Sequence, residues 1–99
     1  MNEELIIAEE YCRQYNVDIS FIDTLEDYGL IHIEIQQQQR LIPAQELRTL
    51  ERYIRLHYDL DINMEGLEAI AHLLQKVKDM QQEIAALQNR LSLYSAEDF

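Results

Sequence analysis

From Ile70 to Tyr94 the chain carries one apolar residue every three or four positions: Ile70, Leu73, Val77, Met80, Ile84, Leu87, Leu91 and Tyr94. Steps that alternate between three and four give the 3.5-residue repeat of a coiled-coil seam. Gln75, Lys76, Gln81, Gln82, Glu83, Gln88 and Asn89 fill the other faces. A helix with one narrow apolar stripe needs a second helix of similar length, roughly 36 Å. No other segment of the sequence has that length and pattern. The seam residues Ile70, Leu73, Val77, Met80, Ile84, Leu87 and Leu91 are therefore expected to pair with a helix outside this chain: a second copy, giving a homodimer, or else another protein. Residues 70–99 read as a dimerisation helix with a frayed tail from Ser95, and residues 1–69 as a separate small domain.

That domain has a modest apolar content to work with, 47% over the chain, and two glycines and one proline. Such composition argues for a folded chain, since disordered segments are rich in both. Ile7, Ala8, Tyr11, Cys12 and Tyr15 recur at helical spacing and predict a helix over 7–15. Asn16 tolerates the left-handed backbone that ends helices. Asp18 or Ser20 is expected to cap the next helix through its side-chain oxygen. Phe21, Ile22, Leu25 and Tyr28 form that helix's buried stripe, and Gly29 ends it. Two short apolar runs, Leu30–Ile35 and Arg40–Ile42, flank "QQQQ" and predict a small hairpin with a solvated tip. The tip lacks the Gly or Asn of a tight turn. Pro43 suits the first turn of a third helix. Leu47, Leu50, Ile54 and Tyr58 carry that helix to Tyr58. Asn63 is placed to cap the last helix, and Gly66 to admit a bulky neighbour in its first turns.

Charge is distributed unevenly. Residues 1–39 hold nine acids and one base, Arg13, for a net −8. Residues 40–58 carry +2, and residues 59–99 carry −5, giving −11 in all. Nucleic-acid affinity comes largely from neutralising phosphates with Lys and Arg, so the first part of the chain disfavours DNA. A basic protein is the better complement. Asp23, Glu26 and Asp27 lie at i, i+3 and i+4, forming one acidic ridge on the second helix. Glu9 and Glu10 of the first helix can widen it. These five residues are the candidate partner-binding site. Arg48, Arg52 and Arg55 share one ridge of the third helix. Glu51 stands three and four residues away from two of them, so a partly salt-bridged solvent face is expected.

Other chemistry is sparse. Asp59, Asp61 and Asn63 resemble the start of a calcium loop. Met64 stands where the loop needs glycine, and Ile70 where it needs a bidentate carboxylate. The stretch reads as an interhelical turn. His32, His57 and His72 have no metal-site spacing, and Cys12 on an apolar stripe reads as an inert core thiol. No nucleophile elbow, Walker loop or dinucleotide fingerprint is present. No enzyme activity, metal or cofactor is expected. There is no apolar run of membrane-spanning length. The acidic start "MNEELIIAEE" lacks the positive charge of a signal peptide, so a cytoplasmic protein is expected.

The order of elements, with "GLI" (Gly29-Leu30-Ile31) ending the second helix, resembles the winged helix-turn-helix of the MerR family. "RLIPAQELRTLERYIRLHYDLDINMEGLEAI" (Arg40–Ile70) and the terminal dimerisation helix extend the likeness. The fold class expected is mainly α, with a small β-hairpin wing and a C-terminal coiled-coil helix. In that family the second helix is rich in Arg and the wing is basic. Here they read "SFIDTLEDYG" and glutamine, a departure that makes DNA a poor ligand. Within MerR-like chains the sequence is similar to the CbpM family of chaperone modulators. The likeness rests on "IAEEYCRQYNVD" (Ile7–Asp18), "RLHYDLDINMEGLEAI" (Arg55–Ile70) and the leucine-rich last helix. It covers about residues 5–93. The resemblance implies a partner that binds the J-domain of a CbpA/DnaJ-like co-chaperone and blocks its stimulation of a DnaK-type ATPase. A J-domain presents a basic helix in that family, which the acidic ridge would complement. The alternative is a MerR-type DNA-binding regulator using Arg40, Arg48, Arg52 and Arg55. Antiparallel pairing of the last helix is also implied by the MerR likeness.

Overall fold

The computed structural model describes residues 4–97. Its elements run β1 (Leu5–Ile7), α1 (Ala8–Tyr15), α2 (Ile19–Asp27), β2 (Glu34–Gln36), β3 (Gln39–Pro43), α3 (Leu47–Ile54) and α4 (Met64–Glu97). The chain divides into two compact units, Met1–Glu68 and Ala69–Phe99.

The first unit is a helix-turn-helix packed on a three-stranded antiparallel sheet of order β1-β3-β2. β1 is an element that periodicity did not reveal. Its three residues are too short to display an alternation, and Ile7 also fits the stripe of the helix that follows. What makes them a strand is a distant partner. Leu5, Ile6 and Ile7 pair with Pro43, Ile42 and Leu41. β2 is shorter than the expected 30–35 run. Ile31 and Ile33 are buried in the irregular segment leading to it. Pro43 ends β3 rather than starting a helix. The next amide, Ala44 N–H, donates to the Glu4 carbonyl at 2.9 Å, and one 3-10 turn (Ala44–Glu46) leads into α3.

The hairpin tip is a tight turn of two residues. Gln37 and Gln38 have φ of 52° and 63°, and Gln36 pairs directly with Gln39. Positive φ at both central positions is the mark of a type I′ turn, whose twist matches that of the strands. Glutamine accepts it at a steric cost, which is why the sequence did not advertise the turn.

Helix ends follow the sequence in part. Asn16 turns α1 at φ 57°, and Gly29 turns α2 at φ 74°. Asp18 occupies the N-cap of α2, yet neither it nor Ser20 caps with a side chain. The Asp18 amide instead donates to the Tyr58 hydroxyl at 3.2 Å. Tyr28 is exposed rather than buried, and its hydroxyl donates to Glu65 at 3.4 Å. The nearby Glu65 charge holds the Tyr28 phenol above its ordinary pKa.

α3 stops at Ile54, and a wider π-type turn (Arg55–Asp59) follows. In that turn His57 stacks on Phe21, with ring centroids 4.6 Å apart. Its Nδ1 lies 2.8 Å from the Ile62 carbonyl. A carbonyl only accepts, so Nδ1 carries the proton. Tyr58 meets Phe21 edge-on at 5.4 Å but stays exposed, so the expected stripe to Tyr58 ends early. Asp61 then reverses the chain at φ 56°. Asn63 Oδ1 accepts the Gly66 amide at 2.8 Å and caps α4. A Cβ on Gly66 would stand 2.6 Å from Ile62 Cγ2, the close approach expected from its position.

The core is formed by Ala8, Tyr11, Cys12, Val17, Phe21, Ile22, Leu25, Ile42, Leu50, Tyr53 and Leu67, with Ile31, Ile33 and Leu41. Cys12 is a buried free thiol there, pushed above its usual pKa by burial and then by Glu9, Asp23 and Asp18. Burial likewise raises the Tyr11 phenol to about 12.

The second unit is the helical continuation of α4. The helix extends through Glu97, beyond the Ser95 at which the tail is expected to begin; Asp98 and Phe99 lie outside the described residues. No helix among the described residues is long and apolar enough to cross a membrane.

Candidate functional site: an acidic helix face

α2 buries Phe21, Ile22 and Leu25 and so turns its opposite face outward. Thr24 closes onto its own helix, donating to the Ser20 carbonyl at 2.8 Å. Asp27 is exposed, and Asp23 and Glu26 are half-buried. On α1, Glu9 and Glu10 are exposed beside the buried pair Tyr11 and Cys12.

Arg40 organises this face. It sits in β3 opposite Ile35. Its Nη1 donates to both carboxylate oxygens of Asp23, at 2.7 and 2.5 Å, and its Nε lies 3.5 Å from Glu9. The bonds to Asp23, and then its charge, raise the Arg40 pKa further. Both ends of the pair are partly exposed, so its net contribution to stability is small. Its consequence is geometric. Asp23 and Glu9 share one cation, whereas Glu10, Glu26 and Asp27 have no ion-pair partner among the described residues. Arg40 thus compensates Asp23 and Glu9, and leaves Glu26 and Asp27 of α2 without a cation among the described residues. Glu46 is engaged elsewhere, accepting the His32 amide at 2.9 Å.

Arg40 is the residue that sequence reasoning grouped with the wrong neighbours. It lies next to the third-helix arginines in sequence but on the acidic face in space. A signal was available: it is the first base after a segment of net −8. The other arginines differ from expectation in the opposite sense. Arg48, Arg52 and Arg55 are exposed, and among the described residues none makes an ion pair, Glu51 included.

In α4, Ile70 is half-buried. Leu73, Val77, Met80, Ile84, Leu87, Leu91 and Tyr94 are exposed in the single chain, by 47 to 66%. One face of a continuous helix thus carries an unpartnered apolar row. Asp59, Asp61 and Asn63 form the interhelical turn, and no group of three metal-ligating side chains occurs among the described residues.

Two helices in a helix-turn-helix, a hairpin wing behind them and a long terminal helix define a winged helix-turn-helix protein. Residues 6–89 match the family model described as MerR HTH family regulatory protein, and the chain belongs to that family. No curated protein matches it.

Proposed function

We propose that this chain is a chaperone modulator: it binds the J-domain of a CbpA/DnaJ-like co-chaperone through the acidic α1–α2 face and inhibits its stimulation of a DnaK-type chaperone. The observation that carries the reading is the character of α2. The helix that a DNA-binding relative would place against phosphate carries an exposed Asp27 and a half-buried Glu26, and the Arg40 cation beside it is held by Asp23 and Glu9. Such a face repels a polyanion and attracts a basic helix. The likeness to the CbpM family supports the same partner. Competition follows from charge: the acidic face occupies the basic J-domain helix and denies it to the chaperone. The seam of α4 makes the active species a homodimer. The test is a DnaK-type ATPase assay stimulated by a purified J-domain. Added protein should suppress the stimulation at low salt and lose potency as salt rises. Undiminished stimulation at saturating protein would refute the proposal.

A second reading, a DNA-binding regulator, has the three unpaired arginines of the α3 ridge in its favour. It predicts retention of DNA that falls steeply with salt. The absence of any retention at low ionic strength would end it.

A further inference from the structure

The α3 ridge has a feature that phosphate binding leaves unused. Arg55 stands between two shallow clefts. One, of about 370 Å³, is lined by Arg52, Arg55, Leu56, Asp59 and Leu60. The other, of about 200 Å³, is lined by Tyr11, Tyr15, Glu51, Ile54 and Arg55. Leu60 is 65% exposed and Tyr15 is 55% exposed. The Tyr11 and Tyr15 rings lie 4.6 Å apart and present an aromatic wall. Arg48, Arg52 and Arg55 bring three cations to this flank in a chain of net charge −11. Glu51 and Asp59 lie close by, yet neither is paired with them.

We propose that this flank of α3 is a second docking surface, for an acidic protein segment that carries bulky apolar residues among its carboxylates. Guanidinium forks match carboxylates bidentately and lose little hydration when covered. From Arg48 to Arg55 the ridge rises about 10 Å, a span that carboxylates on one face of a partner helix can follow. The two clefts supply the apolar part. Tyr and Arg beside a leucine pocket is the composition of an interface centre, where desolvated anchors supply most of the affinity. A nucleic acid backbone offers no aliphatic group for these clefts. The surface is separate from the acidic face. α1 turns Glu9 toward Arg40 and its Tyr11–Tyr15 edge toward α3. It therefore holds whether or not the acidic face binds a J-domain.

The test is fluorescence anisotropy on the full chain at low salt with three labelled probes. One is a short peptide in which glutamates flank two leucines. The second has serines for the leucines, and the third is a DNA duplex. The leucine peptide should bind, with the serine peptide and the duplex at least about tenfold weaker. Arg52→Glu with Arg55→Glu should lower affinity for the leucine peptide by at least about tenfold, and Leu60→Ser by about threefold or more. Glu26→Lys with Asp27→Lys should not weaken it. If the double arginine variant melts early, Arg55→Gln and Leu60→Ser take its place. The proposal is overturned if the leucine peptide does not bind, if serine peptide or duplex binds as tightly, or if the folded α3 variants bind it unchanged.

Discussion

Replacing Gly66 by alanine should weaken the fold, although alanine is the better helix former. The change gains about 0.5–1 kcal/mol of backbone entropy in a helix. Against that, the new Cβ would stand 2.6 Å from Ile62 Cγ2 and 3.2 Å from Asn63 Oδ1. Cγ2 is bonded to a branched Cβ close to the backbone, so it cannot swing clear as the end of a long side chain would. Overpacking of this kind costs about 1–3 kcal/mol. Displacing Asn63 from the Gly66 amide, a 2.8 Å bond, adds about 1 kcal/mol, the usual value of an N-cap. The balance is a loss of about 1–3 kcal/mol. For a unit of this size that lowers Tm by roughly 5–25 °C. The assay is a helical circular-dichroism melt at fixed protein concentration, because self-association would make Tm depend on it. Ile62→Ala then completes a double-mutant cycle. Without Cγ2 the alanine at position 66 has room, so Gly66→Ala should cost at least about 1 kcal/mol less in that background. A Tm that rises on Gly66→Ala alone, or an equal penalty in both backgrounds, would refute the reasoning.

Gln37→Asn with Gln38→Gly places the preferred residues at the two left-handed turn positions and should stabilise the unit by about 1–2 kcal/mol, seen as a higher melting temperature. Met80→Glu with Ile84→Glu puts charge on the exposed seam. Light scattering should report a dimer for the parent chain and a monomer for the variant, with the melt of the first unit retained. Cys12 is buried, with its thiol held protonated at neutral pH by burial and neighbouring carboxylates. Its alkylation should be slow in the native protein and fast in denaturant; rapid native labelling would contradict its place in the core.

The parts of the fold that were legible in sequence were those fixed by local rules. The helical stripe of Phe21, Ile22 and Leu25, the Gly29 turn and the Asn63 cap each depend on residues within a few positions. β1 was not legible, because its strand character comes from Pro43, Ile42 and Leu41 more than thirty residues away. The Gln37–Gln38 turn was hidden for a different reason: the fold imposes left-handed backbone on residues that do not prefer it. Tyr28 and Tyr58 fit an apolar stripe by spacing, but each uses its hydroxyl at the surface, against Glu65 and the Asp18 amide. At the acidic face, the carboxylates could be found by helical spacing alone. Which of them remain uncompensated could not, because that depends on Arg40 crossing from β3 to Asp23 and Glu9.

The central claim is that uncompensated carboxylates on α2 hold a basic J-domain helix. It is tested most directly by calorimetric titration of a purified CbpA/DnaJ-like J-domain, at low salt, into the parent chain and the Glu26→Lys, Asp27→Lys variant. Arg48→Glu on the opposite ridge serves as the charge control. Reversing the two α2 carboxylates should weaken binding at least about tenfold, because charge pairs at an interface centre are worth more than about 1 kcal/mol each. The Arg48→Glu variant should bind no more weakly than the parent. Equal affinity for the parent chain and the α2 variant, with both melting normally, would contradict that claim.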